Sequence, residues 1–551
     1  MTSSKSSALN ASRRHTELAA LADGAPLDLV VIGGGITGAG IALDAATRGL
    51  TVALVEKHDL AFGTSRWSSK LVHGGLRYLA SGNVGIARRS AAERGILMTR
   101  NAPHLVSAMP QLVPLLPEMA GPARALVRAG FLAGDGLRRL AGTPSTTLPR
   151  SGRVSAQRAV ELVPAVRRDG LAGAFLAYDG QLIDDARLVT AVARTAAQHG
   201  ARILTRVGAS HATGTSVRLT DQGTGDSFDV AARAVVNAAG VWAADVDETL
   251  RLRPSRGTHL VFDAAAFGHP VAALTIPIPG ALNRFVFAMP EQLGRVYLGL
   301  TDEDAPGPIP DVPQPSPQEV TFLLDTVNTA LETRLTEADV RGAYAGLRPL
   351  IDTAHGRSEK GTAHARSEEG TAHVRSEKGT AHARSEKGGG GGATADLSRD
   401  HAVTESPSGV ISVIGGKLTE YRYMAEDVLD RAIALRGLTA GPCRTRNLPL
   451  VGAPANPVST LRAPVDLPGS LVARYGAEAP RVIAQARCDR PTAPVADGID
   501  VTRAEFEYAV THEGAMTVDD ILDRRTRIGL VEADRDRAMT AAREFVDTLV
   551  E

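Results

Sequence analysis

Residues 28–57 read DLVVIGGGITGAGIALDAATRGLTVALVEK, and no other stretch restricts the fold so strongly. Leu29–Ile32 is an unbroken apolar run, as a parallel strand buried on both faces requires. Gly33, Gly35 and Gly38 make a GxGxxG turn, Ile36–Arg48 reads as a helix ended by Gly49, and Thr51–Val55 is a second apolar strand with Glu56 at its tip. Gly33 permits the tight turn, Gly35 admits a pyrophosphate close to the backbone, and Gly38 lets helix and strand pack. The helix N-terminus faces the phosphates, and Glu56 is placed to accept from a ribose hydroxyl. A glycine-rich turn without ligand is the plain alternative. A strand before, a helix after and an acid at the right distance argue against it.

The turn alone does not separate NAD from FAD. A larger cofactor needs more backbone turns to hold it, and two more are present. Arg233–Ala243, RAVVNAAGVWA, is a buried strand running into Ala238, Ala239 and Gly240. Gly409–Leu429 is a strand, then Gly415-Gly416-Lys417, then a helix that carries Thr419 near its start. A helix N-terminus beside an isoalloxazine would favour the negative charge of a reduced flavin. The three turns together favour FAD.

The segment GTSRWSSKLVHGGLRYLASG, Gly63–Gly82, adds a long motif of low degeneracy. With it, the chain resembles the FAD-dependent, quinone-linked glycerol-3-phosphate dehydrogenases of the aerobic type. The matching pieces also include GGGITGAG, VVNAAGVWA, GTHLV (Gly257–Val261), GLTDED (Gly299–Asp304), GLRPL (Gly346–Leu350), SRDH (Ser398–His401) and GGKLTEYR (Gly415–Arg422). The C-terminal Glu505–Leu530 completes the match, which covers nearly everything from Asp28 onward. Two departures stand out. The hairpin at Ala288–Gly294 reads AMPEQLG where the family commonly has a Pro-Trp turn, with LTD in place of TTD, and a repeat insert lies between GLRPL and SRDH.

The resemblance implies an α/β fold. It comprises a Rossmann-type, glutathione-reductase-like FAD-binding domain, a mixed-sheet substrate domain and a helical C-terminal domain. It implies oxidation of sn-glycerol 3-phosphate to dihydroxyacetone phosphate, with hydride transfer to flavin N5 and electrons passed to quinone. Such a site needs a clamp for a dianion, an acceptor for the hydroxyl proton and a fixed flavin. Arginine suits the clamp because its planar fork bonds phosphate oxygens in pairs and stays charged. By resemblance, Arg348 and Arg399 face the substrate, and Arg77 and Tyr78 lie near flavin and substrate. A structural salt bridge is the rival for each arginine singly. His259 is the candidate base, because imidazole titrates near neutral pH. A hydrogen-bonded histidine at a strand start rivals that reading evenly. Lys417 would hold the reduced flavin's charge or orient the substrate oxygen. The role of base needs a depressed pKa, since an ordinary lysine is protonated at pH 7. Ser68, Ser69, Lys70, His73 and Gly75 line the flavin by resemblance, and no metal is implied.

Composition sets the outer bounds. The 551 residues are 43% hydrophobic with a formal net charge of zero, which gives no reason to expect nucleic acid. The two cysteines, Cys443 and Cys488, form no framework and fit a reducing compartment. No apolar core follows the early basic residues, so no secretory signal is expected, and no apolar run spans a bilayer. Pro122–Leu140 mixes Leu, Val and Phe with Arg124, Arg128, Arg138 and Arg139. It reads equally as a segment lying in a lipid interface or as a packed surface helix. The expected location is cytoplasmic, peripheral on the inner face of the membrane, with a homodimer left open.

The expected organisation is a disordered extension over 1–24 that carries at most a short helix near Leu18–Leu21, FAD-binding parts over 25–110, 185–250 and 396–437, and a substrate or membrane-contact segment over 111–184. The substrate domain follows over 251–353, the repeat insert over 354–395 and the helical C-terminal domain over 438–551. Helical spacing recurs at Leu471–Arg474, Pro480–Ala484, Arg503–Thr511 and Val518–Arg524. Rival functions are a glycerol-phosphate oxidase using oxygen, an amine-oxidising flavoenzyme, and a silent flavin-binding module with the repeats as an interaction arm.

The insert repeats TAHxRSExG from positions 353, 362, 371 and 380 and ends in a glycine run. Its polar composition offers too little apolar area to offset ordering entropy, so a passive loop is expected. The recurring His355, His364, His373 and His382 suggest metal or partner binding, but nine residues match neither helix nor strand spacing. Closure cost grows only logarithmically with loop length. Deleting residues 354–395 is therefore expected to leave turnover and bound flavin nearly unchanged, as steady-state kinetics and visible absorbance would read; a large loss of either would refute a passive loop.

Overall fold

The computed structural model describes residues 6–75, 78, 83–119, 121–278, 284–351, 400–454 and 467–550. Within it the first unit folds as Leu27–Ile32, helix Ile36–Thr47 and Val52–Glu56, with only small shifts at its ends. The strands lie side by side in parallel, with Leu29 opposite Val52 and Ile32 opposite Val55. Ser227–Asn237 adds in parallel on the other edge of Leu27–Ile32, followed by Ile411–Ile414, while Arg202–Thr205 extends the sheet beyond Val52–Glu56. The resulting sheet has eight strands. Helices Ile36–Thr47, Asp185–Gln198 and Tyr421–Arg436 pack their alanine-rich faces on it, around Leu29, Val31, Val189, Val236 and Val428. The Ser227–Asn237 strand starts earlier than its apolar half because its first residues pair antiparallel with Ser216–Asp221.

A second sheet of ten strands is mixed. Ser255–Asp263 lies between Arg295–Gly299 and Val340–Arg348, antiparallel to both. Val106–Pro114 joins Ala273–Pro277 in parallel and Ala174–Leu182 antiparallel. Its core is Leu260, Phe262, Phe267, Leu274 and Val286, covered by helix Pro317–Asn328. A capping box built by Ser316 and Glu319 starts that helix. Together the two sheets and the C-terminal helices form the α/β plan that the motifs imply. The boundary expected at 110/111 is corrected: it falls inside the strand Val106–Pro114, because the chain enters the second sheet before the first domain is complete.

The disordered extension expected over 1–24 is also corrected. Ala11–Ala22 is a helix capped by the Asn10 side chain, which accepts from the Arg13 N–H. Leu18 and Leu21 bury against Val30, Ala53 and Leu204, and Arg14 pairs with Asp221 at 2.6 Å. The sparse apolar residues concealed this, because only two leucines on one turn make the contact. The repeat insert lies outside the described residues.

The C-terminal helices include Gly469–Tyr475, Ala479–Gln485, Arg503–His512 and Glu532–Leu549. Phe506, Ile521, Ile528 and Phe545 give them their own core. They join the first sheet through buried charge. Asp59, just past the Val52–Glu56 strand, accepts from Arg524 at 2.6 Å and from both terminal nitrogens of Arg525 at 2.8 and 2.9 Å. Burial opposes its ionisation, but the two guanidinium groups hold its carboxyl well below the ordinary range. Removing one partner of such a buried set costs about 3–5 kcal/mol.

Helix Gly121–Leu140 packs Val127 and Phe131 against Val113, Leu115 and Phe175. Leu126, Leu132 and Leu140 remain exposed at 48%, 54% and 75%. Arg124 and Arg138 donate to backbone carbonyls nearby. Among the described residues, no helix is long and apolar enough to cross a membrane.

Candidate active site

Parallel strands leave their carboxyl ends on one edge of the sheet, and all three glycine or alanine turns lie there. Gly33 has φ of 113°, and a Cβ on it would stand 2.5 Å from the Ala238 carbonyl oxygen. The first and second turns therefore touch. A Cβ on Gly38 would collide with the Gly33 carbonyl oxygen, so the helix can start this close to its strand only with glycine there. Gly35 faces the Ser65 hydroxyl, which accepts from the Ile36 N–H at 2.9 Å. That hydroxyl occupies the helix N-terminus where a pyrophosphate oxygen would be received. Ser65 was missed by the sequence reading; its only signal is its place just before the SSKLVHGG motif.

Glu56 is fixed by two backbone donors, Gly34 N–H at 2.7 Å and His58 N–H at 2.8 Å. Burial raises its carboxyl above the ordinary value against those two bonds. In the second turn, buried Asn237 accepts from the Ala239 N–H at 3.1 Å and donates to Ala243 O and Ser412 Oγ. It thereby ties the turn at Ala239 and Gly240 to the third strand. In that third turn Gly415 and Gly416 both have positive φ, 77° and 80°, and Thr419 is buried at the start of the following helix. These close approaches leave room for backbone and ligand but not for side chains, which is what a long dinucleotide needs.

The substrate-side residues gather on the second sheet. Arg348 pairs in register with Ser255, and His259 with Tyr344 and Gly299. The Arg348 guanidinium lies over Gly257, donating to Ser255 Oγ at 3.1 Å, Asp302 Oδ1 at 3.3 Å and Thr301 O at 3.2 Å. His259 stands on the same face two residues on, stacked on Tyr344 at 4.7 Å, with Nε2 2.9 Å from Ser69 Oγ. The Tyr344 hydroxyl donates to Ser68 O at 3.1 Å. Ser68, Ser69, His259 and Arg348 therefore share one wall.

Lys417 and Tyr78 form a second group. The Lys417 ammonium sits 3.7 Å from the centre of the Tyr78 ring and bonds Glu420 at 2.9 Å and Ser90 at 3.1 Å. A cation over a ring contributes about 0.5–2 kcal/mol. Burial lowers the pKa of Lys417, and Glu420 opposes that shift.

Two expectations are corrected. The Lys70 side chain does not face a flavin: it is 1% exposed and bound to Asp185 at 2.5 Å and Arg66 O at 2.9 Å. A lone lysine in a motif gives no hint that two aspartates, 114 and 115 positions away, enclose it. His259 does not titrate near neutrality: burial, with Lys70 and Arg348 nearby, pushes it down to about 3. It is a neutral imidazole across the physiological range. His73 is half exposed and 3.3 Å from Asp179, whose carboxylate also accepts from the Gly74 N–H and Arg94. Gly75 follows with φ of 80°. Arg77 and Arg399 lie outside the described residues.

A family model described as FAD dependent oxidoreductase matches residues 28–376, and one described as the C-terminal domain of alpha-glycerophosphate oxidase matches residues 443–551. Glycerol-3-phosphate dehydrogenase 1 of Mycobacterium tuberculosis is 73% identical over 541 residues, covering 98% of this chain and 99% of the relative. A mitochondrial glycerol-3-phosphate dehydrogenase of Arabidopsis thaliana is 32% identical, covering 95% of this chain and 82% of its own. Among solved structures, the glycerol-3-phosphate dehydrogenase of Bacillus halodurans complexed with FAD aligns with a TM-score of 0.68 at 26% identity, covering 98% and 94% of the two chains. The FAD requirement and the fold class are as the motifs indicated.

Gly38→Ala is expected to remove bound FAD while Gly136→Ala, inside helix Gly121–Leu140 where a Cβ meets nothing within 4 Å, keeps it. Absorbance near 450 nm per protein after desalting measures both. Full flavin retention in Gly38→Ala would show that the turn does not hold the cofactor.

Proposed function

This chain belongs to the family of FAD-dependent glycerol-3-phosphate dehydrogenases, and from that premise we propose that it oxidises sn-glycerol 3-phosphate to dihydroxyacetone phosphate and delivers the electrons to a quinone. When bound, FAD supplies the acceptor for the hydride, at N5, and the relay to the quinone. One observation carries the reading for this chain: a guanidinium, a neutral imidazole and a hydroxyl, from Arg348, His259 and Ser69, share one wall of the second sheet.

Arg348 binds the substrate phosphate. Its fork is already oriented by Asp302, Ser255 and Thr301 O, so little rotamer freedom is lost on binding. Arg77 and Arg399 complete the clamp in this proposal. His259 Nε2 takes the hydroxyl proton by way of Ser69, whose own proton passes to the ring 2.9 Å away as its oxygen receives the substrate's. Alone it is a weak base, but a bound dianion beside it favours the imidazolium. Lys417, seated on Tyr78, remains charged and steadies the negative charge that develops in the reaction.

Quinone is lipid-soluble, so we assign the membrane contact to the exposed leucines of helix Gly121–Leu140, at the inner face of the cell membrane. Vesicles of anionic lipid at low salt are expected to co-sediment the protein, and Leu126→Glu with Leu132→Glu to abolish this; failure of the unaltered protein to sediment would refute the contact. The match of residues 443–551 to a glycerophosphate-oxidase domain favours oxygen as the alternative acceptor, which peroxide yield against quinone-analogue reduction decides.

Anaerobic glycerol 3-phosphate is expected to bleach the flavin, while glycerol and amino acids leave it yellow. Arg348→Ala should keep bound flavin but lower kcat/KM by about 10- to 100-fold, mainly through KM, the size of a lost charge-assisted bond. A flavin that stays yellow with glycerol 3-phosphate would refute the function, and normal Arg348→Ala kinetics the clamp.

A further inference from the structure

We propose that Glu420 is a positioning residue that fixes the Lys417 ammonium over Tyr78 and keeps it in the charged form the reaction uses. The proposal rests on the reading of Lys417 given above. Glu420 stands three residues after Lys417, on the short turn that opens helix Tyr421–Arg436. It is 1% exposed, yet it carries a carboxylate surrounded by donors. Oε1 accepts from Lys417 Nζ at 2.9 Å and from the Ser90 hydroxyl, and Oε2 accepts from Arg89 Nε at 2.9 Å. Arg89 also bonds Asp400, the residue after Arg399 in the chain.

The frame around this carboxylate is rigid. The next helical residue but one, Arg422, grips Glu93 through two bonds of 2.8 and 2.6 Å, so helices Val84–Ile96 and Tyr421–Arg436 are locked together beside the pair. Lys417 cannot follow a different rotamer without leaving both Glu420 and the ring. Its charged surroundings are Glu420 on its own turn, Arg89 from the helix Val84–Ile96, and Asp400. Asp400 is flanked in turn by His401, which Asp400 and Asp427 hold charged up to about pH 9 against its burial. Burial and Arg89 act against the ammonium, and Glu420 with Asp400 act for it. Conversely, burial alone would raise the Glu420 carboxyl; Lys417, Ser90 and Arg89 hold it below the ordinary value. The two groups thus keep each other ionised in a half-dry site. If Glu420 is neutralised, two cations remain with Asp400 as the anion acting on both, and Lys417 gives up its proton at a lower pH.

The chain has only seven lysines, so the proton on Lys417 can be followed directly in the full-length holoenzyme. Reductive methylation with 13C-formaldehyde labels them, and the Lys417 resonance is the one missing from Lys417→Arg. In Glu420→Gln its titration midpoint is expected to fall by about one pH unit or more, the effect of losing an opposite charge at bonding distance. The alkaline limb of anaerobic flavin reduction by glycerol 3-phosphate should fall with it, while bound FAD stays constant. Arg89→Met should move both in the opposite direction, and Glu420→Asp should restore most of the original profile. Midpoints that superimpose on the unaltered protein in Glu420→Gln would overturn the proposal, whatever happens to the rate. If Glu420→Gln does not fold, Arg89→Met decides by the same two readouts. The unaltered protein is itself a test, because a Lys417 midpoint at or below pH 7 would make the amine neutral and overturn the proposal without any variant. An unaltered protein that is not bleached at all removes the functional reading as well; one that is bleached while the Lys417 titration ignores Glu420 removes only this inference.

Discussion

The structure depends on how closely three backbone turns approach one another at the carboxyl edge of a parallel sheet. Gly33 lies against Ala238, Gly38 against Gly33, and the Tyr421 ring against Gly40 of helix Ile36–Thr47. Each approach excludes even a methyl group. The strands are brought to this spacing by ordinary sheet hydrogen bonding, and their apolar faces are sealed by alanine-rich helices that can come near without large side chains. A long ligand can then be held mostly by peptide groups and helix ends, which supply directed donors at fixed positions.

Those charges divide into two kinds. Arg348, Lys417 and Tyr78 stand at partly open positions, and each is oriented by a neighbour: Asp302 for Arg348, Glu420 for Lys417. Lys70, Asp184, Asp185 and Arg527 are buried, and they balance one another inside the protein. Motifs do not separate the kinds, because both use the same residue types at similar spacing. Burial does, since a charge that is dry and fully paired has no valence left for a ligand.

Much of the fold was legible because its signals are local. The glycine spacing, the apolar strand and the acidic tip lie within thirty or so residues, and each obeys a period that a reader can count. The mixed second sheet was legible only through resemblance, since Ser255–Asp263 and Val340–Arg348 pair across 78 to 93 residues. Of the helix Ala11–Ala22 only a short piece near Leu18–Leu21 was legible, because its stability comes from two leucines meeting a distant sheet rather than from its own pattern. The behaviour of His259 was hidden for a related reason. Its basicity is set by burial and by Lys70 and Arg348, neither of them near it in sequence. Ser65 and Glu420 escaped notice because a serine before a motif and an acid inside one carry no signal until partners are placed beside them.

The salt-linked contact at Asp59 has a consequence for heredity. This aspartate belongs to the loop just beyond the strand tip that bears Glu56, yet both of its countercharges come from residues 524 and 525. The helical tail is therefore not a module that recombination can exchange freely. A descendant that traded the tail would bring a stranded anion into a dry interior three residues from Glu56. The two parts must then be inherited together, and any change in the arginine pair must be matched by a change at the aspartate.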